Sequence, residues 1–311
     1  MKKHPILFLS VIVAGCVAQE TSRSAPISAE LHDAAEAQLD QAEQAQDPIL
    51  RAHAIEARQD VNDPAAQRAV MKGLDDPTPV VRFSATMAAG RLRIAAALPF
   101  LKRMVKEDPS QDVQVAAIFA LYELGDKQPA HALEKLAFDN NPEVRSNTAL
   151  VIGLMGNATG LRVLHAMAGD VDWTVRQQVA DSRWLLGDTD GLSDLVTGTV
   201  SKFPDEQIES IRGLAAPHDA RVAEHVRKGL SSQYPEVAMV AARALGELGS
   251  DEGYAIAAKG AKSADPRQRA LAAFALGAIG KHHTPALLGQ LIKDPDQNVR
   301  IAAATAILEL K

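Results

Sequence analysis

Cysteine is almost missing from this chain: Cys16 is the only one in 311 residues. A lone thiol excludes an internal disulfide framework and any cysteine-rich metal site. Aromatic residues are scarce at 4%. No run of Lys and Arg builds a basic stripe, and the net charge of −6 is spread over interspersed charges of both signs. Nucleic acid is therefore not an expected partner. Apart from Pro5 to Ala14, no long apolar stretch occurs. That one is shorter than the roughly 20 residues a spanning helix requires.

What the amino terminus does contain is ordered. Lys2 and Lys3 precede the apolar run, and small residues close it at Val13-Ala14-Gly15-Cys16. A basic start, a short apolar stretch and a small-residue end form the pattern of a secretory signal peptide. The last four residues resemble the bacterial lipobox. That resemblance implies cleavage after residue 15 and attachment of lipid to Cys16, so residues 1–15 read as signal peptide. Several acyl chains anchor a protein firmly, each buried methylene contributing about 0.8 kcal/mol. Residue 17 is Val rather than the Asp that marks inner-membrane retention in enterobacterial lipoproteins, which favours the outer membrane, facing the periplasm. Residues 16–30 then form a polar tether rich in Ser, Thr and Pro.

The remainder, 31–311, carries an internal period. Alignment on a recurring arginine gives positions 51, 82, 114, 145, 176, 207, 238, 269 and 300, with every step 31 except one of 32. Arg fills six of them; Gln114, Gln207 and Ala238 fill the rest. Proline recurs three residues ahead, as at Pro48, Pro79 and Pro142, where its missing N–H costs a helix nothing. Glycine recurs eleven behind, at Gly125, Gly156, Gly187, Gly249 and Gly280, where it ends the helix. Asp76, Asp108, Asp139, Asp170 and Asp294 stand ahead of the helix starts as expected caps. Each unit reads as a helix of about 11 residues followed by one of about 13, whose positions −1, +3, +6, +7 and +10 make one apolar face. One such pair cannot bury its face alone, but a stack can.

The pattern resembles HEAT repeats of the short type found in phycobilin lyases and deoxyhypusine hydroxylase. The fold expected is all-α: an α-solenoid of nine two-helix repeats with an open concave face about 80 Å long. The resemblance also raises an enzyme or enzyme-maturation role, bilin-lyase-like or oxidoreductase-like. Deoxyhypusine hydroxylases bind iron through His-Glu pairs, and no histidine here is followed by Glu. A bilin lyase would work on cytoplasmic proteins, whereas this chain carries an export signal. No cofactor and no metal is expected. The reading that fits is a lipid-anchored, non-enzymatic scaffold in the bacterial cell envelope whose partner is a protein or peptide. A purely structural envelope spacer is the other non-enzymatic alternative.

Columns +1, +5 and +8 lie away from the apolar face, and there the repeats differ. At +5 the chain runs Glu56, Met87, Phe119, Leu150, Asp181, Arg212, Arg243, Phe274, Thr305. At +8 stand Tyr122 and Trp184 where several repeats have Gly or Ala. Phe119 with Tyr122, and Asp181 with Trp184, Arg212 and Arg243, are the expected partner-binding clusters, because Trp, Tyr and Arg dominate interface hot spots. Between Trp173 and Pro217 the columns break: Trp173 replaces proline, Arg183 enters an apolar column, and Glu206 replaces Val. A bend or looser packing is expected there, with Arg183 pairing to Glu206. The last helix lacks a polar capping repeat.

Overall fold

A computed structural model describes residues 27–59, 63–281 and 283–310, and all regular structure among them is helical. The signal segment, Cys16 and the first part of the tether lie outside these residues. The first helix of each repeat lies on the outside: α1 (Ala29–Ala42), α3 (Pro64–Gly73), α5 (Leu98–Glu107), α7 (Leu133–Leu136), α9 (Leu161–Met167), α11 (Thr189–Gly198), α13 (Ala223–Arg227), α15 (Tyr254–Gly260) and α17 (Thr284–Leu291). The second lies inside: α2 (Pro48–Ala57), α4 (Pro79–Arg91), α6 (Gln111–Glu123), α8 (Pro142–Leu154), α10 (Trp173–Leu185), α12 (Pro204–Ala215), α14 (Pro235–Glu247), α16 (Pro266–Ile279) and α18 (Gln297–Glu309). The inner helices match the expected 13 residues closely. The outer ones are mostly shorter, and 3₁₀ turns lead into several of them.

Local chemistry accounts for the boundaries. The helix caps are Asp47, Asn141, Asp172, Asp265 and Asp296, each accepting a backbone N–H of the first turn. The aspartates expected to cap stand two residues earlier and do something else. Asp76, Asp108, Asp170 and Asp294 accept an N–H in the turn and take a bidentate arginine from the preceding repeat. Arg51 Nε and Nη2, for example, reach Asp76 at 2.9 Å each, while Nη1 donates to the carbonyls of Ala45 and Gln46. The arginine column is thus a ladder between repeats. Hydrogen bonds from Arg145 and Arg269 hold Asp170 and Asp294 below the usual carboxylate range.

The seven described members of the column eleven behind the arginine all adopt a left-handed backbone, and two of these seven are not glycine. Arg93 (φ 50°) and His218 (φ 54°) share the conformation of Gly125, Gly156, Gly187, Gly249 and Gly280. A side chain there costs on the order of 1–2 kcal/mol. At −1, Val81, Val113, Val144, Val175, Val237 and Val299 are all sealed between helix layers, each contributing about 1.5–3 kcal/mol.

The expected α-solenoid of nine repeats is present, and its two ends meet to close a ring. Helix α1 packs on α18, as α11 packs on α10 and α15 on α14, and α18 also touches α2. One apolar cluster unites Ala35, Leu39 and Leu50 with Leu288, Ile292 and Ile307. Arg300 Nε donates to Gln38 Oε1 at 3.0 Å across the seam. The last helix therefore needs no polar cap, because the first repeat covers it. Arg58, buried at the end of α2, binds Glu36, Asp40 and Glu43 on α1 at 2.6, 2.7 and 2.6 Å. Nine inner helices spaced roughly 9 Å apart make a circle about 25 Å across between axes. Helix bulk reduces that to about 15 Å, which side chains fill.

Candidate functional site

The +5 column points into this lumen, because one helix stripe of each inner helix faces the ring axis once the apolar face packs outward. Met87, Phe119, Leu150 and Phe274 form an apolar part. Glu56, Asp181, Arg212 and Arg243 form a charged part. Glu56 of the first repeat and Arg212 of the sixth sit close enough for the arginine to act on the carboxyl, which shows how narrow the lumen is.

Each charged group has identifiable partners. Glu56 Oε1 accepts the Ser84 hydroxyl at 2.7 Å; its Oε2 is buried with no hydrogen-bond partner among the described residues. Burial lifts its pKa to about 8, against the hydrogen bond from Ser84 and the pull of Arg212. Asp181 accepts from Gln177 Nε2 at 3.2 Å. Burial raises its pKa well above the carboxylate range; Glu209 adds to this and Arg212 opposes it. Arg212 pairs with Glu209 at 3.1 Å. Arg243 pairs with Glu247 at 2.7 Å and lies 5.0 Å over the Phe274 ring. At the seam, His53, Glu56, Gln59, Phe274, Thr305 and Glu309 line a cleft of about 400 Å³, its mouth included. Burial lowers the His53 pKa to about 4.

Asp181, Arg212 and Arg243 thus stand side by side on α10, α12 and α14, as their columns implied. Phe119 and Trp184 do not stand on an exposed concave face: they are 3% and 6% exposed. Trp184 leaves the lumen group altogether. It wedges between α10 and α12 and donates Nε1–H to the Leu214 carbonyl at 3.2 Å. Tyr122 is half-buried, with Lys127 Nζ 5.1 Å from its ring. Phe119 and Tyr122 therefore share a helix but not a common open surface. Arg183 pairs with Asp188, Asp190 and Asp194 rather than with Glu206, which bonds the Ser201 hydroxyl instead. Asp188, Asp190 and Asp194 lie nearer to Arg183 along the chain than Glu206 does, and Ser201 lies nearer to Glu206 than Arg183 does.

The seam groups Arg58, His53 and Glu309 were not anticipated. Glu36, Asp40 and Glu43 recur at helical spacing on α1, and that acidic stripe was the available signal for a buried cation. No group of three or more His, Cys, Asp or Glu among the described residues is arranged to hold a metal. No helix among the described residues is long and apolar enough to cross a membrane.

Comparison with known proteins places these repeats. Residues 35–121 and 104–183 match the HEAT repeats family. Solved structures with a similar fold include the CpcE–CpcF complex of phycocyanin lyase from Nostoc sp. PCC7120. It shares 19% identity, with TM-score 0.47, covering 78% of this chain and 97% of the other. Human deoxyhypusine hydroxylase in complex with glycerol shares 16%, with TM-score 0.39 and coverage of 90% and 97%. An engineered protein shares 22%, with TM-score 0.37 and coverage of 58% and 96%. No curated protein matches at a significant level.

Proposed function

The chain is a HEAT-repeat protein, and on that premise we propose that it serves as a non-enzymatic binding scaffold held in the bacterial envelope by lipid on Cys16. A protein or peptide partner engages Asp181, Arg212 and Arg243 at the mouth of the filled lumen, where the two arginine side chains stay 31% and 19% exposed. One observation carries this reading: the fold fills the same column with Met87, Phe119, Leu150 and Phe274 in other repeats. Buried ion pairs gain little stability over apolar side chains of similar size. Charges kept where apolar groups fit equally well are accounted for by recognition. The outer membrane, facing the periplasm, is the location this reading favours.

The test separates binding from folding. Arg212→Met/Arg243→Met combined with Glu209→Gln/Glu247→Gln removes both members of each pair, so no carboxylate is left without its arginine. Met87 already shows that the column accepts Met. Affinity capture from detergent-solubilised envelopes should recover at least about fivefold less partner with this variant, the loss expected for two hot-spot arginines. Its thermal midpoint should match or exceed that of the unchanged chain. Equal recovery would reject the lumen as the binding surface.

A further inference from the structure

Five large apolar side chains remain exposed among the described residues: Phe138 at 59%, Val171 at 92%, Trp173 at 38%, Val200 at 71% and Phe203 at 52%. Four lie in the links entering α8, α10 and α12, and Trp173 is the first residue of α10; these helices belong to consecutive repeats. Because the inner helices run in the same direction around the ring, these links emerge on one rim. Seven residues before the arginine column, where Phe138 and Val200 stand, the other repeats carry Gln44, Asp75, Glu107, Gly169, Ser231, Lys262 or Lys293. Lys202 lies within the group, its Nζ 4.9 Å from the Phe203 ring. The rim carboxylates Asp139, Asp170 and Asp172 already accept backbone N–H groups.

We propose that this rim docks on the surface of the lipid bilayer. Trp, Phe and Lys together form the composition of an interfacial anchor. Links on one rim of a ring are coplanar, which suits a flat surface better than a groove-forming partner. The chain outside the described ring sets the geometry. This inference rests on the lipid-anchor reading of Cys16. From Val17 to Ser28 the tether has twelve residues and reaches at most about 40 Å. Helix α1 starts on the opposite rim, about 20 Å higher, the length of a 13-residue helix. The tether can therefore span the ring's height while the apolar rim rests on the membrane. The opposite rim and the lumen mouth then face outward.

The experiment uses the chain from Cys16 onward, made without lipid, which keeps the whole closed ring. Its single thiol is coupled to a maleimide lipid in phosphatidylcholine–phosphatidylethanolamine vesicles. Brominated lipids should quench about half of the Trp173 emission, as for an indole at the interface, and leave sealed Trp184 untouched. Trp173→Phe should remove the quenchable component. Phe138→Ser/Val171→Ser/Phe203→Ser should abolish quenching while helical content is retained. Absence of quenching in the unchanged chain overturns the proposal, as does equal quenching in the triple variant. A patch-dependent dimer in solution also overturns it, because a second copy would then cover the rim. Chemical coupling makes the result independent of acylation in cells, which the mass of the amino-terminal peptide reads separately.

Discussion

Neighbouring inner helices meet at two kinds of joint. Four joints have glycine at +8: α4 with α6, α8 with α10, α14 with α16, and α16 with α18. There the backbones come close, so that a Cβ on Gly90 would stand 2.7 Å from Ala120 Cα, and one on Gly277 2.7 Å from Ala306 Cβ. These pairs make the densest contacts in the ring. Joints with Tyr122, Trp184 or Ala215 at that column touch more sparsely, and α10 with α12 is the loosest away from the seam. The arginine ladder follows a related pattern. Its bidentate rungs join repeats at Arg51, Arg82, Arg145 and Arg269. Arg176, facing Ser201 where other repeats have Asp, bonds only the carbonyls of Asp170 and Val171. Asp181, Arg212 and Arg243 line this same stretch. The ring accommodates buried charge where its joints are wide, and fills its lumen with apolar groups chiefly where they are tight.

The sharpest way to break this comparison is to exchange the two joint types. Trp184→Ala empties the wide joint and removes the bond to Leu214. The closed ring limits how far α10 and α12 can collapse, so the full cost of a large-to-small change applies, about 3–5 kcal/mol. Gly90→Ala does the opposite at a tight joint. Its Cβ meets backbone rather than a movable side-chain end, and overpacking of this kind costs about 1–3 kcal/mol. Urea unfolding reads both. Losses below about 1 kcal/mol in both variants would mean that +8 does not set the joint spacing.

Glu56 sits at the seam between α2 and α18, another joint without glycine at +8, and its titration gives the second test. Its pKa rises from an ordinary 4.5 to about 8 on folding. The folded state therefore keeps a proton that the unfolded state releases between these values, and stability falls as pH rises through that window. Raised Asp181 adds a slope of the same sign. His53, lowered from 6.5 to about 4, acts oppositely: its contribution is lost as pH falls below 6.5. The two nearly cancel between about 4.5 and 6.5, leaving a net decline from about 6.5 to 8. Glu56→Gln should be more stable than the unchanged chain by about 2–4 kcal/mol at pH 9 and show little difference at pH 4. A constant difference across the range would remove Glu56 from the account.

Much of the repeat architecture was legible because each repeat states it independently. Nine repeats aligned on one column, Arg in six of them and reinforced by Pro, Val and Gly columns, specify where every inner helix starts and which face it buries. Closure was not legible, because it depends on the small angle accumulated per repeat rather than on any residue. That angle decides whether +5 is an open surface or a lumen, so Phe119 had the right column and the wrong exposure, whereas Trp184, at +8, is buried by its own wedge between α10 and α12. Arg58 shows the same limit. It stands in the apolar +7 column, as Arg183 does, but its partners become neighbours only through the particular seat of α1 against α2. The disturbed stretch from Trp173 to Pro217 was visible as broken columns. Its consequence is a sparse joint between regular helices, since Asp172 caps α10 as well as the caps elsewhere do.

The smallest effect offers the most direct repair. If the missing rung is what leaves α10 and α12 loose, restoring it should tighten the joint. Ser201 stands six residues before its arginine-column position, where Asp76, Asp170 and Asp294 stand in laddered repeats. Its hydroxyl already accepts the Phe203 N–H, as those aspartates accept theirs. An Asp there would face Arg176 but also repel Glu206, which now bonds Ser201. Ser201→Asp therefore needs Glu206→Val, the residue normal to that column. The double variant should gain about 1 kcal/mol, a half-buried bidentate pair being worth more than an exposed one. Hydrogen exchange should slow in α10 and α12 and stay unchanged in α4 and α6. Slowing everywhere would signify a general rise in stability, and the missing rung would then not be the cause of the loose joint.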